Sequence, residues 1–455
     1  MRITITARRL AYRLVPAGAA VVSVLYLGNY VMGQVRDIIF AASFGAGMEL
    51  DAYNAAFSLP ELLLDVLVEA GLAAPFIPIF LRLRAVADGG EADRFARAIL
   101  TGAVAIMGVA SLVLFVVAEA TTSLIAPGFT GEQRELYVNL FRVMLASQVL
   151  FAASLTLGQV MLAEQRYFWY AAAPILYNTG IILGSLALSG SIGIYGPAVG
   201  ALLGALLHLS TRFIGLRNSS FRIGFGWRAN PGPIREFVRL MLPKMVSHPV
   251  DTATFVFFTN VASGLAAGGV TVISLARNYM SVPVTVIGIA FALAVFPALS
   301  TAHATGDRRG FLRLLGSNTA SILLITTFAA LVAVVLGEFG IRILLGRGAF
   351  DEEDVLRTAG ALSVFALAIP FESLTHLLSR AIYATRHTLL QVLASLLALV
   401  VTVVATLALL PSAGLTAIPL GFTIGQVVKV GLLSLALAVR LRRFEGAPLE
   451  GEAAA

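Results

Sequence analysis

Arg36 and Asp37 stand side by side near the end of the first long apolar stretch, residues 17 to 44, and another isolated arginine, Arg277, lies in the eighth, residues 269 to 300. A charge near the middle of a bilayer costs roughly 2.5 to 3.5 kcal/mol even on the insertion scale, so it persists where it faces protein or a water-filled cavity. Arg36 is about eight residues from the outer end of its stretch, and Arg277 is about as far into its own from the same side. At about 1.5 Å of rise per helical residue, both lie roughly 12 Å below the outer surface. Two cations at one depth would make an anion site. The arginine fork suits phosphate because it donates two parallel hydrogen bonds, and Asp37 would orient Arg36 and limit the net charge. The alternative is an internal ion pair, Arg36 with Asp37 or across helices, that latches the structure.

The second apolar stretch is rich in acids, with Asp51, Glu61, Asp65 and Glu69 interrupted by Pro60, Pro75 and Pro78. Asp65 and Glu69 are four apart and share a helical face. Proline removes a backbone donor and is tolerated where a helix bends along a cavity, which makes this stretch the one expected to move. Its acids could bind protons or sodium to couple transport, or serve as neutral hydrogen-bonded packing groups. His248 with Asp251, and Glu372 with His376, are further polar pairs at helical spacing, read as hydrogen-bonded pairs or as an ion site.

No cysteine is present and the five histidines lack zinc-ligand spacing, so no metal site is expected. No GxxxxGK[ST] loop occurs, and no cofactor is implied. Energy would come from membrane potential, a proton or sodium gradient, or the substrate.

These residues need long helices to carry them. Of 455 residues, 58% are hydrophobic and 13% charged, against about a quarter charged in soluble domains. The chain reads as an all-α polytopic membrane protein with twelve transmembrane helices. The spans are approximately 17–44, 49–82, 95–119, 134–162, 167–189, 195–216, 236–262, 269–300, 311–337, 353–381, 388–410 and 414–439, each long enough for a hydrocarbon core. None alternates as a barrel strand would. The first is too long for a signal-peptide core and has no convincing cleavage site after it, so the amino terminus is expected to be retained.

The net charge of +7 reflects topology, not nucleic-acid binding. Arginines gather before span one (Arg2, Arg8, Arg9, Arg13), after span two (Arg82, Arg84, Arg94, Arg97) and after span six (Arg212, Arg217, Arg222, Arg228). Others follow spans eight and twelve, while the connections at 45–50, 190–195, 263–268 and 411–414 carry none. The positive-inside rule then places both termini in the cytoplasm.

The halves repeat at an offset near 220: APGFTGEQ at 126 matches GRGAFDEE at 346, AEQRY at 163 matches YATRH at 383, and Gly200 corresponds to Gly421. The expected organisation is an N-lobe at 1–216, a cytoplasmic linker at 217–233, a C-lobe at 234–443 and a cytoplasmic tail at 444–455. Six spans per repeat preserve orientation, which predicts two six-helix lobes related by an axis along the membrane normal, facing a central cavity. GxxxG spacings at Gly180/Gly184, Gly196/Gly200/Gly204 and Gly421/Gly425 are read as packing within a lobe.

Residues 33 to 80 resemble the MviN/MurJ family of lipid II flippases, within the MOP exporter superfamily. The pattern is met by Arg36 and Asp37, Phe44 to Gly47 (FGAG), Asp51 and Ala52, Leu59 and Pro60, Glu69, and Phe76 to Pro78. The resemblance implies a MOP transporter fold and a flippase, not an enzyme, serving peptidoglycan biosynthesis. It would act as a monomer in the bacterial inner membrane. Its partner would be an undecaprenyl-diphosphate-linked sugar-peptide, moved from the inner to the outer leaflet through a cationic cavity by alternating access. The substrate-binding set is Arg36, Asp37, Arg277 and Asn278, and the gating or coupling set is Asp51, Asp65, Glu69 and Asp251.

The chain also departs from the family pattern. Tyr30 and Leu64 stand where members usually carry arginines. Anchoring span eight on Pro283 puts Asn278 at the usual cavity arginine, with Arg277 one residue early, a rotation of about 100° on a helix. No acid occurs between Glu372 and Glu445, so the sodium-site acid of some members is missing, as are two extra carboxy-terminal spans. An exporter of another polyprenyl-linked polysaccharide and a non-transporting scaffold remain alternatives.

Overall fold

The computed structural model describes residues 17–442 apart from 70–71, 73–74, 87–89, 248–249 and 386–387. His248, the amino-terminal arginines and the 444–455 tail fall outside the described residues. Apolar stretches of this length satisfy their backbone polar groups internally only as helices, and the described residues of the twelve are almost all helical, with no strand among them. The chain divides into two compact units, Met1–Asn260 and Val261–Ala455. That boundary is set by packing and lies beyond residues 217–233, where the sequence repeat divides the chain.

The first unit contains α1 (Ala17–Phe44), α2 (Met48–Leu64) running into a π-helical segment (Asp65–Glu69), α3 (Phe76–Val86), α4 (Gly90–Val116) and α5 (Ala118–Ile125). It continues with α6 (Gly131–Ala163), α7 (Tyr167–Ile192), α8 (Tyr195–Leu216), α9 (Pro231–Ser247) and most of α10 (Val250–Ser263). The FGAG turn joins α1 to α2. Gly45 has φ +61°, a left-handed value that an L side chain rarely adopts, and its N–H caps the Ala41 carbonyl at 2.9 Å. Phe76, Phe80, Phe95 and Phe237 belong to one buried aromatic core near the ends of α3, α4 and α9.

The second unit contains α11 (Gly269–Pro283), a π-helical segment (Val284–Ile289), α12 (Ala290–Ala304), α13 (Arg308–Leu344), α14 (Glu352–Ala366) and α15 (Ile369–Ala384). It ends with α16 (Thr388–Ala413), a 3-10 turn (Gly414–Thr416) and α17 (Ala417–Arg442). Asp307 and Asp351 start α13 and α14 by accepting the backbone N–H of Gly310 and Asp354. Among the described residues, seven stretches are individually long and apolar enough to span, or eight if α14 and α15, bent by 44°, form one. The longest of them, Leu389–Arg442, is two helices folded back on each other. A β-carbon on Gly421 would meet Thr406, and one on Gly425 would meet Thr402, a register that only an antiparallel pair gives.

The same packing closes α7 on α8. A β-carbon on Gly180 would lie 2.4 Å from Gly204 Cα, and one on Gly184 would lie 2.4 Å from Gly200 Cα. All three GxxxG groups therefore bring helices together within a unit, where small residues let backbones approach closely. Arg212, read from sequence as a loop cation, is instead buried in α8 at 1% exposure. It donates to Ser154 Oγ at 3.1 Å and to the Tyr170 carbonyl at 3.1 Å, with the Tyr170 ring 5.1 Å away.

Candidate functional site

In the first unit, the Arg36 guanidinium folds back along α1. Its Nε and Nη2 both donate to Asp37 Oδ1, at 3.0 and 2.8 Å. Adjacent helical residues do not normally face each other; the length of the arginine side chain closes the gap. Nη1 donates to Asn178 Oδ1 on α7 at 3.3 Å, and Asn178 Nδ2 donates to Asn29 Oδ1 on α1 at 2.9 Å. The arginine side chain is 27% exposed and that of Asp37 is 7% exposed. Asp37 thus fixes the fork while part of the arginine side chain remains accessible. Tyr30, standing one and a half turns before the pair, accepts from Gln34 Nε2 through its hydroxyl at 3.2 Å.

In the second unit, Arg277 Nη2 donates to Glu372 Oε1 at 2.5 Å. Nη1 lies 3.0 Å from Met280 Sδ, and the Phe422 ring is 5.0 Å from the guanidinium carbon. Glu372 Oε2 is buried with no hydrogen-bond partner. The break between α14 and α15 puts Glu372 in the first turn of α15, within reach of α11. Asn278 is half-buried, and its carbonyl accepts from Ser281 Oγ at 2.7 Å.

The candidate gating acids occupy different environments. Asp51 is 2% exposed in the first turn of α2, where the helix dipole favours a negative charge. Asp65 is buried in the π segment, and its Oδ2 accepts from Thr252 Oγ1 on α10 at 2.8 Å. Glu69, at the other end of that segment, is exposed, so the two acids expected to share a face differ in burial. Two turns from Asp65, the hydroxyls of Ser58 and Thr259 are 3.2 Å apart. These contacts form a polar seam between α2 and α10, within the first unit. Asp251 is exposed near the start of α10. Among the described residues, no cluster of three or more His, Asp or Glu could hold a metal.

Chemically, Arg36 and Arg277 are each already matched to a carboxylate. Such a group can exchange part of its carboxylate contact for a phosphate without ever being a bare charge in the membrane. Sequence reasoning missed Asn29, Asn178, Thr252 and Phe422. For the asparagines the only signal was an amide inside an apolar stretch, and for the others there was none.

Residues 40–450 match the model of the family described as "Lipid II flippase MurJ". A probable lipid II flippase MurJ of Thermotoga maritima is 28% identical over 409 residues, 89% of this chain and 82% of that protein. The lipid II flippase MurJ of Burkholderia cenocepacia is 26% identical over 436 residues, 92% and 83% of the two chains. Among solved structures, a lipid II flippase MurJ in an inward closed conformation superposes with a TM-score of 0.81 at 22% identity, covering 92% of this chain and 87% of the other. An inward-facing multidrug resistance MATE family transporter of the MOP superfamily gives 0.79 at 16% identity, covering 91% and 94%. At such identities the superpositions establish the fold, that of a multi-pass MOP transporter.

Proposed function

The chain belongs to the lipid II flippase MurJ family, and from that premise we propose that it moves a lipid-linked peptidoglycan precursor from the inner to the outer leaflet of the bacterial cytoplasmic membrane. The substrate is an undecaprenyl-diphosphate-linked sugar-peptide, and the route is alternating access of two lobes. The chain is a transporter, not an enzyme, and it works as a monomer. The arginine distribution supports cytoplasmic termini.

The observation that carries this reading is the Arg36–Asp37 pair braced by Asn178. An arginine whose fork is held in one orientation, on a side chain still 27% exposed, is suited to a diphosphate that must be bound and then released. Arg277, held by Glu372, would supply the second cation, and Asn278 an amide donor. Asp51, Asp65, Glu69 and Asp251 would support gating or coupling to membrane potential, protons or sodium.

Complementation of a flippase-depleted bacterium tests the proposal. Rescue by wild type but not by Arg36→Ala supports it, and no rescue despite good membrane expression counts against lipid II. A second reading, export of another polyprenyl-linked polysaccharide, is favoured by Tyr30 and Leu64, which leave the first unit with fewer cations than the family pattern. Under that reading wild type would fail to rescue yet still translocate a different polyprenyl-diphosphate glycan.

A further inference from the structure

A cavity of about 940 Å³ opens at one end of the first unit, lined by five arginines, a single aspartate, Phe225 and Trp227. Its walls are built by hydrogen bonds. The loop after α8 is pinned to α4 by the Gly226 N–H donating to Thr101 Oγ1 at 2.9 Å, and by Arg97 Nε donating to the Arg222 carbonyl at 2.8 Å. Asp93 accepts from the Arg222 N–H at 3.2 Å. Arg84 is occupied by Glu164, with Nη1 to Oε1 at 3.3 Å, and by Ser220. Arg94, Arg222 and Arg228 are exposed, and no side-chain hydrogen bond or ion pair engages them among the described residues.

The depth of the cavity identifies its occupant. On α4 the residues Ile106, Val109, Leu112, Val113 and Val116 are exposed and apolar, as lipid-facing residues are. Trp227 lies beside Gly102, where a β-carbon would meet its ring at 4.0 Å, so the indole sits at the edge of the hydrocarbon. Arg97 and Arg94 are five and eight residues nearer the helix start, about 7.5 and 12 Å further out. That is the layer of phospholipid phosphates. Trp227 and Phe225 are 67% and 68% exposed, and aromatic rings belong at this level.

We propose that this pocket binds the phosphate headgroup of an anionic phospholipid of the adjacent leaflet, with Arg94, Arg222 and Arg228 on the phosphate and Trp227 and Phe225 against the upper acyl chain. A soluble anion would have no use for two exposed rings at the hydrocarbon boundary. A zwitterionic lipid carries a cation beside its phosphate and so adds no net negative charge to a site of three unpaired arginines. The proposal does not depend on which lipid the protein transports.

Native mass spectrometry of the full chain, with phosphatidylglycerol or phosphatidylcholine added, tests it. A hydrogen bond to a charged group inside a built site is worth roughly tenfold or more in affinity. The expectation is at least tenfold tighter binding of phosphatidylglycerol, and at least a tenfold loss in R94Q/R222Q/R228Q. The control R308Q/R309Q/R313Q removes equal charge from exposed positions in the second unit and should stay within twofold of wild type. Equal binding of the two lipids, an unchanged triple variant, or an equal loss in the control overturns the proposal. So does loss of added undecaprenyl diphosphate in the triple variant with phosphatidylglycerol unaffected, which would give the pocket to the substrate. Unmodified protein provides an independent reading. Bromine-labelled phosphatidylglycerol should quench tryptophan fluorescence more than bromine-labelled phosphatidylcholine at equal concentration, and equal quenching counts against the site.

Discussion

Arg277 reaches 95 residues along the chain to Glu372 and donates to it at 2.5 Å. The cation of the second unit is thereby as closely paired as Arg36 is by Asp37. Removing one member of a buried pair typically costs about 3–5 kcal/mol, whereas removing both is often neutral. R277M should therefore lower the thermal midpoint in detergent, and R277M/E372Q should recover most of the loss. If Arg277 touches substrate, the double variant recovers stability without activity. Recovery of both would make the pair a structural latch.

Asn178 orients Arg36 from α7 and is itself held by Asn29. Hydrogen bonds to charged groups contribute about 1.5–3 kcal/mol, so N178A should slow transport by roughly ten- to a hundredfold with near wild-type expression. Unchanged transport in that variant would show that Arg36 does not need this brace.

The seam of Asp65 with Thr252 and Ser58 with Thr259 joins α2 to α10. The chain contains no cysteine, so S58C/T259C introduces a single pair without background. Oxidation should cross-link it and stop transport, and reduction should restore activity. Full activity in the cross-linked form would mean that this seam does not open during the cycle.

Gly184 packs against Gly200 so closely that any β-carbon would strike backbone. Overpacking typically costs about 1–3 kcal/mol, and G184L should exceed that range because rigid backbone is what yields. A thermal midpoint within a degree or two of wild type would contradict the packing described.

Much of this architecture was legible in the sequence, because a hydrocarbon solvent leaves a long apolar stretch one way to satisfy its backbone. One structural feature recurs at the offset read from the sequence. The π segments begin at Asp65 and Val284 and end at Glu69 and Ile289, separations that match the 220-residue offset read from sequence. Their nearest sequence cue is proline, Pro60 in α2 and Pro283 closing α11, but the register change itself has no local signature. The partners of the charges were hidden for a different reason. Arg36 with Asn178 and Arg277 with Glu372 are contacts between distant segments, and helical spacing can pair Glu372 only with residues of its own helix. Arg212 was misread because arginine at a span end usually faces water, while here carbonyls, a hydroxyl and a tyrosine ring receive it.

The central claim is that this chain moves a lipid-linked diphosphate and that Arg36 handles it. The direct measurement is leaflet translocation of lipid II in proteoliposomes containing wild type, R36A or no protein. The account predicts translocation by wild type well above protein-free vesicles and a drop of at least tenfold in R36A at equal reconstitution. Wild type that moves no lipid would make the chain a scaffold, and R36A as active as wild type would contradict the role given to the pair.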